Sequence, residues 1–454
     1  MPETSTVATP EQDARRRRSI AWVVVLSAAA LVFDGYDLVV YGTVVPVLLA
    51  DPSHLGTVTP AQAGTLGSYA LVGVLVGALA AGAVGDRIGR RKVMLVNLAW
   101  FSVGMGVTAT TESVATFGLF RFFTGIGVGA LVATVGALVA EVAPPGQRNR
   151  YNAIVYSGVP AGGVLAALTA IALGDSIGWR GLFWIGALPI VVLLPLAIRF
   201  LPESPKWLVA RGRLADAEAV SRRTGIPVPA PEAVLEDSTE EKVGFPALAS
   251  RRFAFPTALL GLMSFAGLLL TYGLNTWLPQ IMGEQGYGKN HALTFLLVLN
   301  LAAIGGGLVA SYVADRVGAR RVVATTFVLA ALSLAVLPLS MPAAVLFLAV
   351  GLAGVGTIGT QVLVYGLVSN YYPTNARAAG VAWCAGFGRL GGIVGPIIGG
   401  VLVGAGVGGS TAFQLFAAVS LAGAAVALAV PRPAHAESRR TDLVPGEVRS
   451  TVTA

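Results

Sequence analysis

Apolar stretches long enough to span a bilayer follow one another along most of the chain, separated by short polar segments. A helix rising about 1.5 Å per residue crosses a hydrocarbon layer of about 30 Å in roughly 17–25 residues. Stretches of that kind fall at 20–49, 61–84, 93–110, 114–141, 151–174 and 179–200, then at 253–282, 291–314, 322–339, 342–369, 378–403 and 410–430. The pattern predicts an all-α membrane protein of about twelve transmembrane helices. The first apolar run is too long for a signal-peptide core and reads as an uncleaved helix. One long polar segment separates the two sets of six. The expected organisation is a tail (1–19), a six-helix bundle (20–200), a linker (201–252), a second bundle (253–430) and a second tail (431–454). In the linker, LPESPKWLVARGRLADAEAVSRR reads as short amphipathic helices, with Ser204 as N-cap and Pro205 in the first helical position.

Composition gives the same class. Hydrophobic residues make up 55% of the 454 and charged residues only 12%, against about 25% charged in soluble domains. Such a chain cannot cover a water-facing surface, so lipid is its main solvent. The 57 glycines allow close helix approach. A net charge of +8 would suggest nucleic acid in a soluble protein. Here the basic residues are topological instead, because 27 of the 31 Lys and Arg fall in segments on the side of the termini. The positive-inside rule then puts both termini in the cytoplasm, in a multi-pass plasma-membrane protein with no nucleic-acid partner. The single cysteine, Cys384, and three scattered histidines give neither a disulfide framework nor a metal cluster. No phosphate-binding loop or nucleophile–histidine pair stands out, so neither an enzyme nor an ATP-driven pump is expected, and no cofactor.

The two sets of six resemble each other. GDRIGRRKV at 85–93 follows the second helix, and ADRVGARRV at 314–322 follows the eighth, 229 residues later. The fifth helix carries VPAGG at 159–163 and the eleventh GPIIGG at 395–400. Internal duplication is common among secondary transporters, whose substrate sites lie near the midplane between repeats.

These motifs carry a family resemblance over about 20–430. The loop after helix two is similar to the signature loop of the major facilitator superfamily, and RFFTGIGVG at 121–129 resembles its fourth-helix motif. Within the superfamily, DGYD at 34–37, LPESP at 201–205 and GRLGG at 388–392 look like the aromatic acid:proton symporters. The second loop departs from the pattern, with Ala319 where the first has Arg90. The resemblance implies the major facilitator fold, two pseudo-symmetric six-helix bundles. In the family, an arginine at the position of Arg121 is implicated in proton coupling.

Asp34 lies about 22 Å along helix one from Ser19, near mid-bilayer. Asp34, Asp37 and Tyr41 share a face by their spacing. Carboxylates at this depth are costly and usually line a cavity, and two close ones cannot both ionise easily in a low dielectric. They are candidates for proton coupling, together with Arg121 as counter-ion and with Glu141; the bland alternative is a structural pair at a helix break by Gly35. Arg389, the other intramembrane cation, offers a planar fork that fits a carboxylate; otherwise it would serve carbonyls freed by the following glycines and Pro396. A regular helix would turn Phe387 away from the side that Arg389 faces. Tyr41, Tyr272, Asn275, Trp277, Gln361, Tyr365 and Trp383 are further substrate candidates, each equally readable as packing or interface anchors. Asn300 reads as packing. Gly82, Asp86, Arg87, Gly89 and Arg90, with Asp315 and Arg316 in the second copy, form a gating loop at the cytoplasmic surface, and Glu141 and Arg148 are alternatively members of the same network.

The expected function is proton-coupled import of a small organic anion, most readily an aromatic carboxylate such as benzoate or hydroxybenzoate, by a monomer using alternating access. The alternatives are proton-driven efflux of drugs or metabolites and symport of sugars or other organic anions. Efflux antiporters of the superfamily tend to carry GPxxGG on helix five; here the full form is on helix eleven. A membrane sensor would want a signalling domain, which the short tails do not offer.

Overall fold

The computed structural model describes residues 9–144, 147–230, 246, 248–339, 341–372, 374–406 and 408–431. The regular elements in them are helical. The first set is α1 (Pro10–Ala50), α2 (Pro60–Ile88), α3 (Arg90–Ala109), α4 (Val114–Val142), α5 (Arg148–Tyr156), α6 (Gly158–Ala187) and α7 (Leu193–Phe200). The linker contributes α8 (Pro205–Ala210) and α9 (Leu214–Thr224). The second set is α10 (Ala254–Glu284), α11 (Lys289–Val317), α12 (Ala319–Val336), α13 (Ala343–Gly354), α14 (Thr360–Tyr371), α15 (Thr374–Gly404) and α16 (Gly408–Ala429). A one-turn π-helix, Val355–Gly359, joins α13 to α14; such turns are frequent at functional sites.

Among the described residues, eleven helical stretches are long and apolar enough to cross a membrane, and one of them, Arg150–Phe200, runs for 51 residues. It makes two crossings. Gly178 has φ 64° and ψ −177°, a conformation that side chains disfavour, and breaks α6 there. Just beyond it, Trp179 lies edge-on to His54, past the outer end of α1. At the far end, Phe200 stacks on Trp22, near the inner end of α1. The chain therefore turns back at Gly178, and the total is twelve. Inner denotes here the side of the termini.

The helix ends use the expected chemistry. Thr9 and Gln12 form a capping box, as do Thr59 and Gln62, each with proline opening the helix. Ser204 caps α8 by accepting from Trp207 N at 3.2 Å. Among the described residues, the hydrogen bonds, ion pairs and close glycine contacts that join the first six crossings to the last six run from mid-depth to the outer side. Ser68 Oγ donates to Ile393 O at 2.6 Å. A Cβ on Gly64 would sit 2.5 Å from Pro396 O, and one on Gly42 would collide with the Asn275 carbonyl. Deeper, at the level of Gly35, a Cβ on Gly163 would meet the side-chain amide of Asn300, and Lys289 pairs with Asp175 at the outer rim. Small residues let the backbones meet, and the protein is closed on its outer side.

Candidate functional site

Two polar centres lie inside the bundle, both involving α1. In the first, Asp37 is paired with Arg121 of α4, both essentially without solvent contact. The Arg121 guanidinium lies 5.2 Å from the Tyr41 ring centre and 5.8 Å from that of Phe183. Tyr41 gives its hydroxyl to Ala63 O at 2.6 Å, and Tyr36 gives its own to Leu182 O at 2.8 Å. Aromatic faces thus close over the pair. Removing one member of such a pair leaves a buried charge, at a cost of about 3–5 kcal/mol.

The second centre lies between the two sets of helices. Asp34 is within electrostatic reach of both Asp37 and Arg389 of α15. Tyr156 of α5, Tyr272 of α10 and Tyr365 of α14 all feel Arg389 as well. Tyr156 and Tyr272 also feel Asp34 and Tyr365. Five groups from five helices therefore surround one space. Tyr156 keeps 37% of its surface exposed, so protein does not fill the space beside it. Arg389, Tyr272 and Tyr365 are half-buried along it. Asp34 is buried, and its Oδ1 makes no hydrogen bond. Among the described residues, no carboxylate comes within ion-pairing distance of Arg389.

Shared helix spacing therefore does not give the two aspartates shared partners. Asp37 and Tyr41 turn to Arg121, and Asp34 turns to the cavity. Around that cavity, Gln361 donates to Ser264 Oγ at 3.0 Å, with Tyr365 against both. Trp383 gives its ring N–H to Thr257 O at 3.1 Å and stacks on Phe387, centres 5.3 Å apart. Phe387, two residues before Arg389 and so on the other side of α15, packs on Trp383 and also on Phe265 of α10, with ring centres 5.9 Å apart. Other sequence candidates are engaged in packing. Trp277 is fully buried and donates to Pro396 O at 2.8 Å. Asn275 accepts from Asn300 at 2.9 Å and donates to Thr271 O at 2.7 Å.

Glu141 lies at the inner end of α4, where it accepts from Arg90 at 3.4 Å, away from both centres. Gly89, with φ 102°, ends α2 and lets α3 begin at once. Arg91 then donates its backbone N–H to Glu203 Oε1 at 3.0 Å and its side chain to Leu201 O and Ile198 O at 2.7 and 2.6 Å. The LPESP segment therefore clasps the signature loop, a contact the sequence reading did not anticipate. Arg87 and Asp315 are exposed, and Arg316 lies over the Tyr312 ring at 4.2 Å. Gly82 and Asp86 fall on α2, and Arg148 on α5; their side-chain surroundings lie outside the described residues. Tyr156 was also missed. Its signal was Asn152 and Tyr156 one turn apart at the start of the apolar stretch 151–174.

The profile of the Major Facilitator Superfamily matches residues 27–316 and 299–452. The chain belongs to this superfamily. It is a membrane-spanning transporter, not an enzyme. It is 34% identical over 403 residues to the gentisate transporter of Corynebacterium glutamicum, spanning 88% of this chain and 85% of that one. It is 33% identical to the benzoate transport protein of Acinetobacter baylyi, spanning 84% and 83%, and 30% identical to the 4-hydroxybenzoate transporter of the same organism, spanning 84% and 85%. Among solved structures, the inward open xylose transporter from E. coli superposes with a TM-score of 0.72 at 18% identity, spanning 91% of this chain and 96% of that one. This likeness shows the shared fold.

Proposed function

We propose that this transporter imports a small aromatic carboxylate together with protons across the bacterial plasma membrane, both termini in the cytoplasm, each chain working through its own cavity. The observation that carries the reading is Arg389: a cation without an ion-pair partner among the described residues, half-buried in a cavity ringed by tyrosines. A guanidinium fork fits a carboxylate with two hydrogen bonds, and tyrosine faces suit a flat ring. The relatives, named for gentisate, benzoate and 4-hydroxybenzoate, point to the same chemistry.

Proton coupling is assigned to the α1 carboxylates. Asp34 faces the Arg389 cavity, where a bound anion changes the charge it feels. Asp37 with Arg121 forms a closed pair next to it, within electrostatic reach. Alternating access requires the outer seam at Gly42 and Gly64 to part. The signature loop, with Arg90 on Glu141 and Glu203 on the start of α3, holds the inner ends of the first bundle and serves as the inner gate.

Thermal stabilisation of the purified protein tests the substrate class. Benzoate and hydroxybenzoates at about a hundred times their Kd are expected to add about 2.7 kcal/mol, and benzamide and xylose none. Stabilisation by xylose but not by benzoate would replace this reading with the sugar one.

A further inference from the structure

Tyr156 stands opposite Arg389 in the cavity because of what lies behind it. Its hydroxyl donates to Val132 O at 3.4 Å on α4 and reaches the place where residue 136 would carry a side chain. Residue 136 is glycine. A Cβ there would lie 2.6 Å from the Tyr156 hydroxyl oxygen, but 3.7 and 3.9 Å from the next two ring atoms. The first distance is a clash and the others are ordinary contacts. The fit therefore depends on one atom of Tyr156 and on the missing Cβ of Gly136. On its other side the ring borders the cavity, where Asp34 (α1), Tyr365 (α14) and Arg389 (α15) are the charged and titratable groups it feels.

We propose that Gly136 sets how far Tyr156 stands back from the cavity, and thereby how large a ring substituent the transporter admits. The inference rests on the aromatic-carboxylate reading above and adds a size filter to it. A carboxylate held by Arg389 projects its ring toward the N-terminal bundle, whose wall on the α5 side is Tyr156. A Cβ at position 136 pushes the hydroxyl off α4, and the ring moves toward the substrate. An unsubstituted ring still fits, and a ring carrying several hydroxyls meets the displaced tyrosine. Gly136 is a positioning residue: it acts through Tyr156.

The test measures affinities for benzoate and for 3,4,5-trihydroxybenzoate in the unaltered protein, Gly136→Ala, Tyr156→Phe and the double variant. A group added to a pocket wall discriminates by roughly tenfold or more. Gly136→Ala is accordingly expected to weaken trihydroxybenzoate by about tenfold while benzoate stays within about threefold. Alanine is a better helix former than glycine, so folding is maintained. Tyr156→Phe removes the clashing atom, so the double variant is expected to show the same ratio of affinities as Tyr156→Phe alone. An unchanged ratio in Gly136→Ala, or a shifted ratio that Tyr156→Phe does not rescue, overturns the inference alone. If the unaltered protein binds neither acid, the aromatic-carboxylate reading falls and takes the size filter with it.

Discussion

Arg389 and Arg121 are the two arginines inside the bundle, and their surroundings give them different work. Arg121 is consumed by Asp37 and sealed by Tyr41 and Phe183, whereas Arg389 is half-buried within electrostatic reach of three tyrosines. Arg389→Lys keeps the charge and loses the fork. Since a hydrogen bond to a charged group contributes about 1.5–3 kcal/mol, affinity for benzoate is expected to fall at least about tenfold; unchanged binding by calorimetry would take Arg389 out of the site. The two carboxylates are separable in the same way. An amide has the shape of a protonated carboxyl but releases no proton. Both Asp34→Asn and Asp37→Asn are expected to abolish accumulation driven by a pH gradient while counterflow of labelled for unlabelled substrate persists. Asp37→Asn should in addition lower thermal stability, because Arg121 is left unpaired, and Asp34→Asn should not. Accumulation by both variants would place the proton elsewhere. The buried charges were legible in the sequence, since intramembrane Asp and Arg must find partners. The split of Asp34 from Asp37 was not, because spacing fixes a face and the neighbouring helices decide what that face meets.

At the level of elements, apolar run length located the helices because the hydrocarbon thickness fixes it. The turn at Gly178 also fell where the sequence reading divided helix five from helix six, although the backbone stays helical on both sides of it. The clasp of Glu203 on the start of α3 was not legible, since it joins residues more than a hundred positions apart whose motifs look independent in one dimension. Beyond a helix break at Gly35, the gating-loop glycines and those after Arg389, the sequence marks its glycines only as permissive for packing. The structure gives some of them particular partners, and Gly42 shows what this implies. Valine at 42 would drive into the Asn275 carbonyl and keep α1 from closing on α10. The Gly42→Val variant is expected to stay open outward: transport is lost, and a cysteine placed at the buried seam residue Ser68 reacts with an impermeant maleimide several times faster than in the unaltered background. The native thiol, Cys384, is buried and should not interfere. Equal labelling in both backgrounds would mean that the Gly42 contact does not hold the seam.

For the whole molecule, the outer closure and the duplicated loops fit the proposed alternating-access cycle. Charge count and internal repeat made the class readable before any coordinates, because lipid imposes the same constraints on every chain that crosses it. The shape of the cavity was not readable, since it is built from five helices and two halves. The proposed account joins these features by linking anion binding at Arg389 to protonation on α1, so that a proton gradient would drive uptake. The most direct test uses the purified protein in liposomes, acidic outside and more alkaline inside, supplied with labelled benzoate. The account requires accumulation above the external concentration, collapse of that accumulation on adding a protonophore, and persistence of counterflow under the same treatment. Protein-dependent accumulation that continues undiminished after the pH gradient has been dissipated would contradict it.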